Sequence, residues 1–86
     1  MMRTPADVKD RAKVGSRLRL VFSDSHDKDL HRTLVVIVAN DDGIVLEGGR
    51  VVKWGRAGNL LVQKDGFTFI REGRIHMQYI FEKEVP

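Results

Sequence analysis

The chain has 86 residues, enough for one domain with one small hydrophobic core. It contains no cysteine, which excludes disulfide bonds and thiolate zinc sites, and no apolar run approaches the roughly 20 residues of a membrane-spanning helix. Fifteen Lys and Arg against twelve Asp and Glu give a formal net charge of +3, which suits an anionic partner without requiring one. We expect a single soluble, cytoplasmic domain over residues 1–86 with no membrane partner.

Residues 3–15 predict a short N-terminal helix. Thr4 is a typical N-cap, Pro5 suits the first helical position, and Asp7 favours the positive end of a helix. Gly15 is a natural stop. Because few of these residues are apolar, we expect the helix to lie across one end of a β-barrel rather than to be stable alone.

The next segments predict strands. Leu18, Leu20 and Phe22 alternate with other residues, which is typical of a half-buried strand with these three side chains on one face. The second strand spans residues 30–39, and its central run of β-branched residues predicts burial on both faces or a strong bend. The turn over residues 40–43 leads into a third strand.

Two glycine-containing segments determine how many strands are expected. We interpret Gly48-Gly49 as a bulge within one bent strand that continues to Trp54. Residues 64–66 are consistent with either a tight hairpin or a kink in one long strand. With short turns throughout, residues 16–82 predict a mainly β fold, a strongly bent five-stranded antiparallel barrel of the SH3-like or Sm-like type.

Two strand-like runs near the C-terminus, ending in the alternating segment 75–81, are joined by the turn Arg71-Glu72-Gly73-Arg74. This segment resembles the second sequence motif of the Sm-like (Lsm/Hfq) family, in which an Ile-Arg-Gly turn joins the last two strands and lines an RNA-base pocket. Glu72 is an insertion relative to that motif, and the residues around Asp41 and Asp42 differ from the first motif of the family. The resemblance implies a homo-oligomeric ring without a cofactor, and RNA contacts at Arg71 and Gly73.

Arg74 flanks the same turn, and an arginine on either side could bind phosphate. We therefore include Arg74 with Arg71 and Gly73 as candidate RNA-binding residues. The alternative is that both arginines are ordinary solvated turn residues.

Aromatic and apolar residues suggest where subunits could meet. Trp54 lies between Lys53 and Arg56, an arrangement that could stack an RNA base. The apolar runs Val51-Val52 and Leu60-Leu61 on either side favour the alternative, that Trp54 is buried by the barrel or by a subunit contact. The final strand has alternating apolar side chains, and this strand could pair with the exposed edge strand of a second copy. We therefore expect an oligomer interface at Trp54, Met77, Tyr79 and Phe81.

The loop over residues 24–29, with His26 and His31, contains possible metal ligands, but their spacing fits no recognised metal site, and a polar hairpin loop rich in turn formers explains the same residues without a metal. Asp41 and Asp42 are adjacent turn residues, whereas paired catalytic carboxylates must converge on one bond. We therefore predict no metal, no cofactor and no enzymatic activity. Two functions remain: a ring-forming protein that binds single-stranded RNA, and an assembly module that binds other protein subunits and no nucleic acid.

Overall fold

The computed structural model describes residues 2–55 and 59–82, which form one short helix and seven strands. The helix is α1 (Pro5–Arg11), and the strands are β1 (Arg17–Ser23), β2 (Thr33–Asn40), β3 (Gly43–Leu46), β4 (Arg50–Lys53), β5 (Asn59–Val62), β6 (Gly66–Arg71) and β7 (Arg74–Phe81). Within these ranges, no helix has the length and apolar character needed to cross a membrane.

The N-terminal helix begins as the sequence predicts. The Thr4 hydroxyl accepts a hydrogen bond from the backbone N–H of Asp7, and the Asp7 carboxylate accepts one from the N–H of Thr4, which together form a capping box. The helix ends at Arg11, earlier than predicted, because Ala12 leaves helical geometry and the chain turns before Gly15. Val8 is fully buried and anchors the helix to the core.

All seven strands belong to one antiparallel sheet with the order β4-β3-β2-β1-β7-β6-β5. The sheet is not closed, since β4 and β5 are its two edges. The prediction of a mainly β fold with an N-terminal helix is confirmed, whereas the prediction of five strands is wrong. The sheet has two more strands because both glycine-containing segments are hairpin turns.

Gly48 and Gly49 both have φ near +87°, and they reverse the chain so that β4 pairs with β3. The interpretation of this pair as a bulge within one strand was therefore wrong. Residues 63–65 likewise join β5 to β6 in a hairpin, which resolves the alternative that the sequence left open. Each turn converts one long predicted strand into two short ones.

Two β-bulges alter which side chains face the core. In β1, the register against β7 shifts between Leu20 and Phe22, so Phe22 is exposed although it belongs to the predicted apolar face. In β2, a shift between Val36 and Val38 exposes Ile37 and Val38. A register shift thus interrupts β2, and the burial on both faces that was one of the two expectations for it is absent.

The core is one cluster of aliphatic and aromatic side chains centred on Phe67, which is fully buried. The Phe67 ring lies 5.4 Å from Trp54 in an edge-to-face arrangement and stacks on Tyr79 at 5.3 Å. Phe69 and Phe81 lie within 6 Å on other sides. Because Trp54 follows β4 and Phe67 lies in β6, this cluster joins one edge of the sheet to the strand beside its opposite edge.

Candidate functional site

The turn between β6 and β7 has the geometry that its sequence favours. Arg71 pairs with Arg74 across the hairpin, which leaves Glu72 and Gly73 as a two-residue loop. Their φ angles are +52° and +75°, and positive φ at both loop positions matches the twist of the flanking strands. The turn therefore projects Arg71 and Arg74 from neighbouring strand ends.

Arg71 belongs to a chain of three side chains. Its Nη2 lies 3.1 Å from Nε2 of His76, and the other ring nitrogen, Nδ1, lies 3.0 Å from Oδ1 of Asp24. The backbone N–H of Asp24 also donates to the carbonyl oxygen of His76 at 2.9 Å, which fixes the carboxylate beside the ring. The His76 side chain is only 13% exposed, whereas Arg71 is exposed.

Arg71 and His76, but not Asp24, line a cleft between β4 and the β6–β7 hairpin, with a volume of about 430 Å³. Its basic members come from three strands, and none of its lining residues in the described part of the chain is acidic. Apolar and aromatic side chains form the rest of the wall. The lining consists of Arg50, Val51, Val52, Lys53, Phe69, Arg71, His76, Met77 and Tyr79.

Arg50 lines the cleft from β4. Its guanidinium makes a two-pronged contact with Asp27, at 2.6 Å and 3.0 Å, and donates to Asp29 at 3.1 Å. Its Nε–H donates to the Tyr79 hydroxyl at 2.9 Å. The Arg50 side chain is 17% exposed, so the two carboxylates compensate a largely buried charge. We infer that Arg50 shapes the cleft more than it attracts ligands.

Burial and hydrogen bonding to Arg50 shift the pKa values of two of its partners, Asp27 and Tyr79. The hydrogen bond from Arg50 holds the pKa of Asp27 below its usual value, although partial burial acts in the opposite direction. Burial raises the pKa of the Tyr79 hydroxyl, while its hydrogen bond with Arg50 opposes that increase. Tyr79 is therefore a neutral phenol at physiological pH, and its hydroxyl also lies 3.7 Å from the Met77 sulfur as a donor.

A second depression is electrostatically different. It lies beside the β3–β4 turn and has a volume of about 530 Å³. Lys28, Arg32 and Arg50 line it together with the carboxylates of Asp29 and Glu47, so most of its positive charge is offset. The cleft beside Arg71, in contrast, brings two arginines, a lysine and a histidine together with no carboxylate among the described residues that line it.

The candidate RNA-binding residues are not equivalent in the structure. Arg71 lines the cleft, whereas Gly73 and Arg74 are exposed in the hairpin and outside the lining. Arg50, Lys53 and His76 were not predicted as neighbours of Arg71. Arg50 and Lys53 lie in β4, which reaches the cleft from a different hairpin, whereas His76 lies five residues from Arg71 on the paired strand β7. The sequence offered two signals for these neighbours: a basic residue, Lys53, in a predicted strand, and a histidine, His76, in an apolar strand.

Three of the four candidate interface residues are buried in the core of one chain. Trp54, Tyr79 and Phe81 are buried in the core, and Met77 is half-buried beside the cleft. The predicted burial of Trp54 is confirmed, and its indole N–H has no hydrogen-bond partner among the described residues. A subunit contact at these four residues remains a prediction.

The polar loop after β1 supplies ion-pair partners. Asp24 contacts His76, while Asp27 and Asp29 contact Arg50. In residues 2–55 and 59–82, no three His, Asp or Glu side chains converge as metal ligands. Asp41 and Asp42 form the β2–β3 turn, in which the Asn40 side chain accepts from the backbone N–H groups of Asp42 and Gly43.

Comparison with known proteins gave no match to a family model, a curated protein or a solved structure. The function is therefore inferred from the residues that line the cleft.

Proposed function

We propose that this protein binds single-stranded RNA without catalysis, through backbone phosphates held at the cleft beside the β6–β7 turn. The observation that supports this is the convergence of Arg71, Lys53 and His76 on one cleft whose lining contains no carboxylate. Positive side chains supply most of the affinity in nucleic-acid binding, because they replace the counterions of the phosphates.

The composition of the cleft favours weak base selectivity. Base recognition in single strands usually depends on an exposed aromatic ring and on hydrogen bonds to base edges. Phe69 and Tyr79 line the cleft, but both side chains are almost fully buried, which leaves little ring surface for a base to stack on. We therefore expect contacts to phosphates to dominate, which fix position and carry no sequence information.

Titration of uridine-rich, adenine-rich and random single-stranded RNA at two salt concentrations tests the proposal. We expect similar affinities for the three RNAs and a strong decrease with salt. Arg71→Ala and Lys53→Ala should each weaken binding and lower the salt slope by roughly 0.7, the value for one phosphate contact on a single strand.

Arg74→Ala is the matched control, since it removes the same charge from the same turn at a residue outside the cleft lining. An equal loss in Arg71→Ala and Arg74→Ala would shift the contact from the cleft to the whole turn. No binding by the parent protein at low salt would refute the proposed function.

A second function, assembly into a closed Sm-like homo-oligomeric ring, is supported by a different observation. In the described part of the chain, β4 and β5 each pair with only one strand, so each leaves one edge of backbone groups free for a second copy. The two functions are compatible, because a ring would repeat the basic cleft and increase its avidity. A cytoplasmic location belongs to the same proposal.

A further inference from the structure

The inference rests on the proposed function and concerns how the cleft is regulated. An arginine guanidinium has only donors, so the contact between Arg71 Nη2 and His76 Nε2 requires a lone pair on Nε2. The proton of the neutral ring must then sit on Nδ1, where it is donated to Asp24. In this arrangement Arg71 is tied to His76, and one of its donors is unavailable to a ligand.

Protonation of His76 reverses the contact. The added proton lies on Nε2, so two donors and two positive charges then face each other across 3.1 Å. Asp24 still accepts from Nδ1, so the protonated ring keeps that hydrogen bond. Arg71 is exposed and can swing away, whereas His76 is held by its strand and by Asp24.

We propose that a phosphate group binds between Arg71 and the protonated His76, and that the cleft therefore takes up a proton when it binds RNA. A phosphate oxygen accepts from Nε2–H of His76, and another accepts from the released guanidinium of Arg71. The bound anion separates the two cations and replaces their repulsion with attraction. RNA affinity then increases as the pH falls through the range in which histidine gains its proton.

The other charged groups near His76 support this coupling. Lys53 and Arg50 line the cleft from β4, and Arg74 lies two residues earlier on the same strand as His76. Asp24, after β1, is the carboxylate in contact with the ring. A bound phosphate places its negative charge among these cations and beside the ring. By linkage, the proton and the phosphate strengthen each other's binding to the same extent.

Two substitutions of His76 separate the roles of its nitrogens. In His76→Gln, the amide oxygen reaches the position of Nε2 and accepts from Arg71 at every pH. In His76→Asn, the shorter amide reaches the position of Nδ1 and donates to Asp24, which leaves Arg71 released at every pH. Both variants have lost the titrating group and differ in whether Arg71 is held.

The experiment is titration of a fluorescently labelled oligouridylate into the full chain between about pH 5.5 and about pH 8, the range in which a histidine ordinarily changes charge. We expect the affinity of the parent protein to increase by up to about tenfold per pH unit, the limit for uptake of one proton. His76→Gln should show a clearly smaller slope, which measures the contribution of His26 and His31. His76→Asn should share that slope and bind roughly two- to tenfold more tightly than His76→Gln, which corresponds to one hydrogen bond.

Equal slopes in the parent and His76→Gln would overturn the inference while leaving the proposed function intact, provided that Arg71→Ala still weakens binding. Nitrogen chemical shifts of the His76 ring in the free protein give a second check that requires no RNA. At about pH 8 they should report a proton on Nδ1, and a proton on Nε2 would also overturn the inference. If the parent binds no RNA at any pH, the proposed function and this inference both fail.

Discussion

At the scale of single residues, the Arg50 guanidinium connects three parts of the fold, since from β4 it contacts the loop after β1 and the Tyr79 hydroxyl in β7. Arg50 follows Gly49 in an ordinary-looking charged stretch, yet it is buried against Asp27 and Asp29, more than 20 residues away in the chain. No local pattern encodes this contact, because it depends on the β3–β4 turn bringing Arg50 over the loop after β1. Arg71, in contrast, could be identified from sequence because its turn chemistry is local.

Replacement of Arg50 by Met should destabilise the protein by about 3 kcal/mol or more, because removal of one partner leaves a buried carboxylate without its counter-charge. The measurement is the free energy of unfolding from urea titration. Arg32→Met is the matched control, since Arg32 also contacts Asp29 but its side chain is 64% exposed. A solvated ion pair of that kind contributes about 0–1 kcal/mol. Similar losses in the two variants would show that the Arg50 cluster is not a structural centre.

At the scale of elements, strand type was predictable and strand number was not. The period-two alternation of Leu18 and Leu20 predicted β1, and the Thr4–Asp7 pattern predicted the start of α1. A glycine pair such as Gly48-Gly49 is compatible with a bulge or with a reversal, and only a partner for the next strand distinguishes the two. The bulges in β1 and β2 also escaped prediction, because no glycine or turn-forming residue marks the positions at which the register shifts.

Gly66 illustrates a constraint at this scale. A Cβ atom at this position would lie 2.1 Å from the carbonyl oxygen of Tyr79, which is backbone of the neighbouring strand β7. Gly66→Ala should therefore push β6 and β7 apart and cost about 3 kcal/mol, the upper end of the usual overpacking range. Gly73→Ala is the control, since φ is +75° but no atom lies within 4 Å of the added carbon.

For Gly73→Ala we expect a loss of about 1 kcal/mol, the cost of left-handed backbone geometry in a residue with a side chain. Unfolding free energies of both variants, measured in urea, give the comparison. If Gly73→Ala were the more destabilised of the two, the close approach of β6 and β7 at Gly66 would not constrain the sheet.

At the scale of the whole molecule, the open sheet leaves two features that a partner copy would cover. One is the pair of edge strands, β4 and β5. The other is a row of valines on the outer face of neighbouring strands, in which Val38 lies opposite Val45 and Val45 opposite Val51. Val38 and Val51 are 47% and 56% exposed. An apolar row beside a free strand edge is typical of a surface that pairs with another chain.

We therefore expect a closed homo-oligomer at micromolar concentration, and we expect Val38→Lys to shift it toward the monomer. The substitution puts a charge into the apolar row, where burial against a second copy would be costly, and it lies outside the lining of the basic cleft. Val14→Lys is the matched control, because Val14 is also exposed but precedes the sheet.

Light scattering measures the mass of each variant, and circular dichroism checks that both variants remain folded. A monomeric parent would rule out assembly through these edges, whereas dissociation by both lysines alike would place the contact elsewhere. If Val38→Lys is monomeric and still binds RNA with lower avidity, one assembly explains both proposed functions, since each added subunit repeats the same cleft.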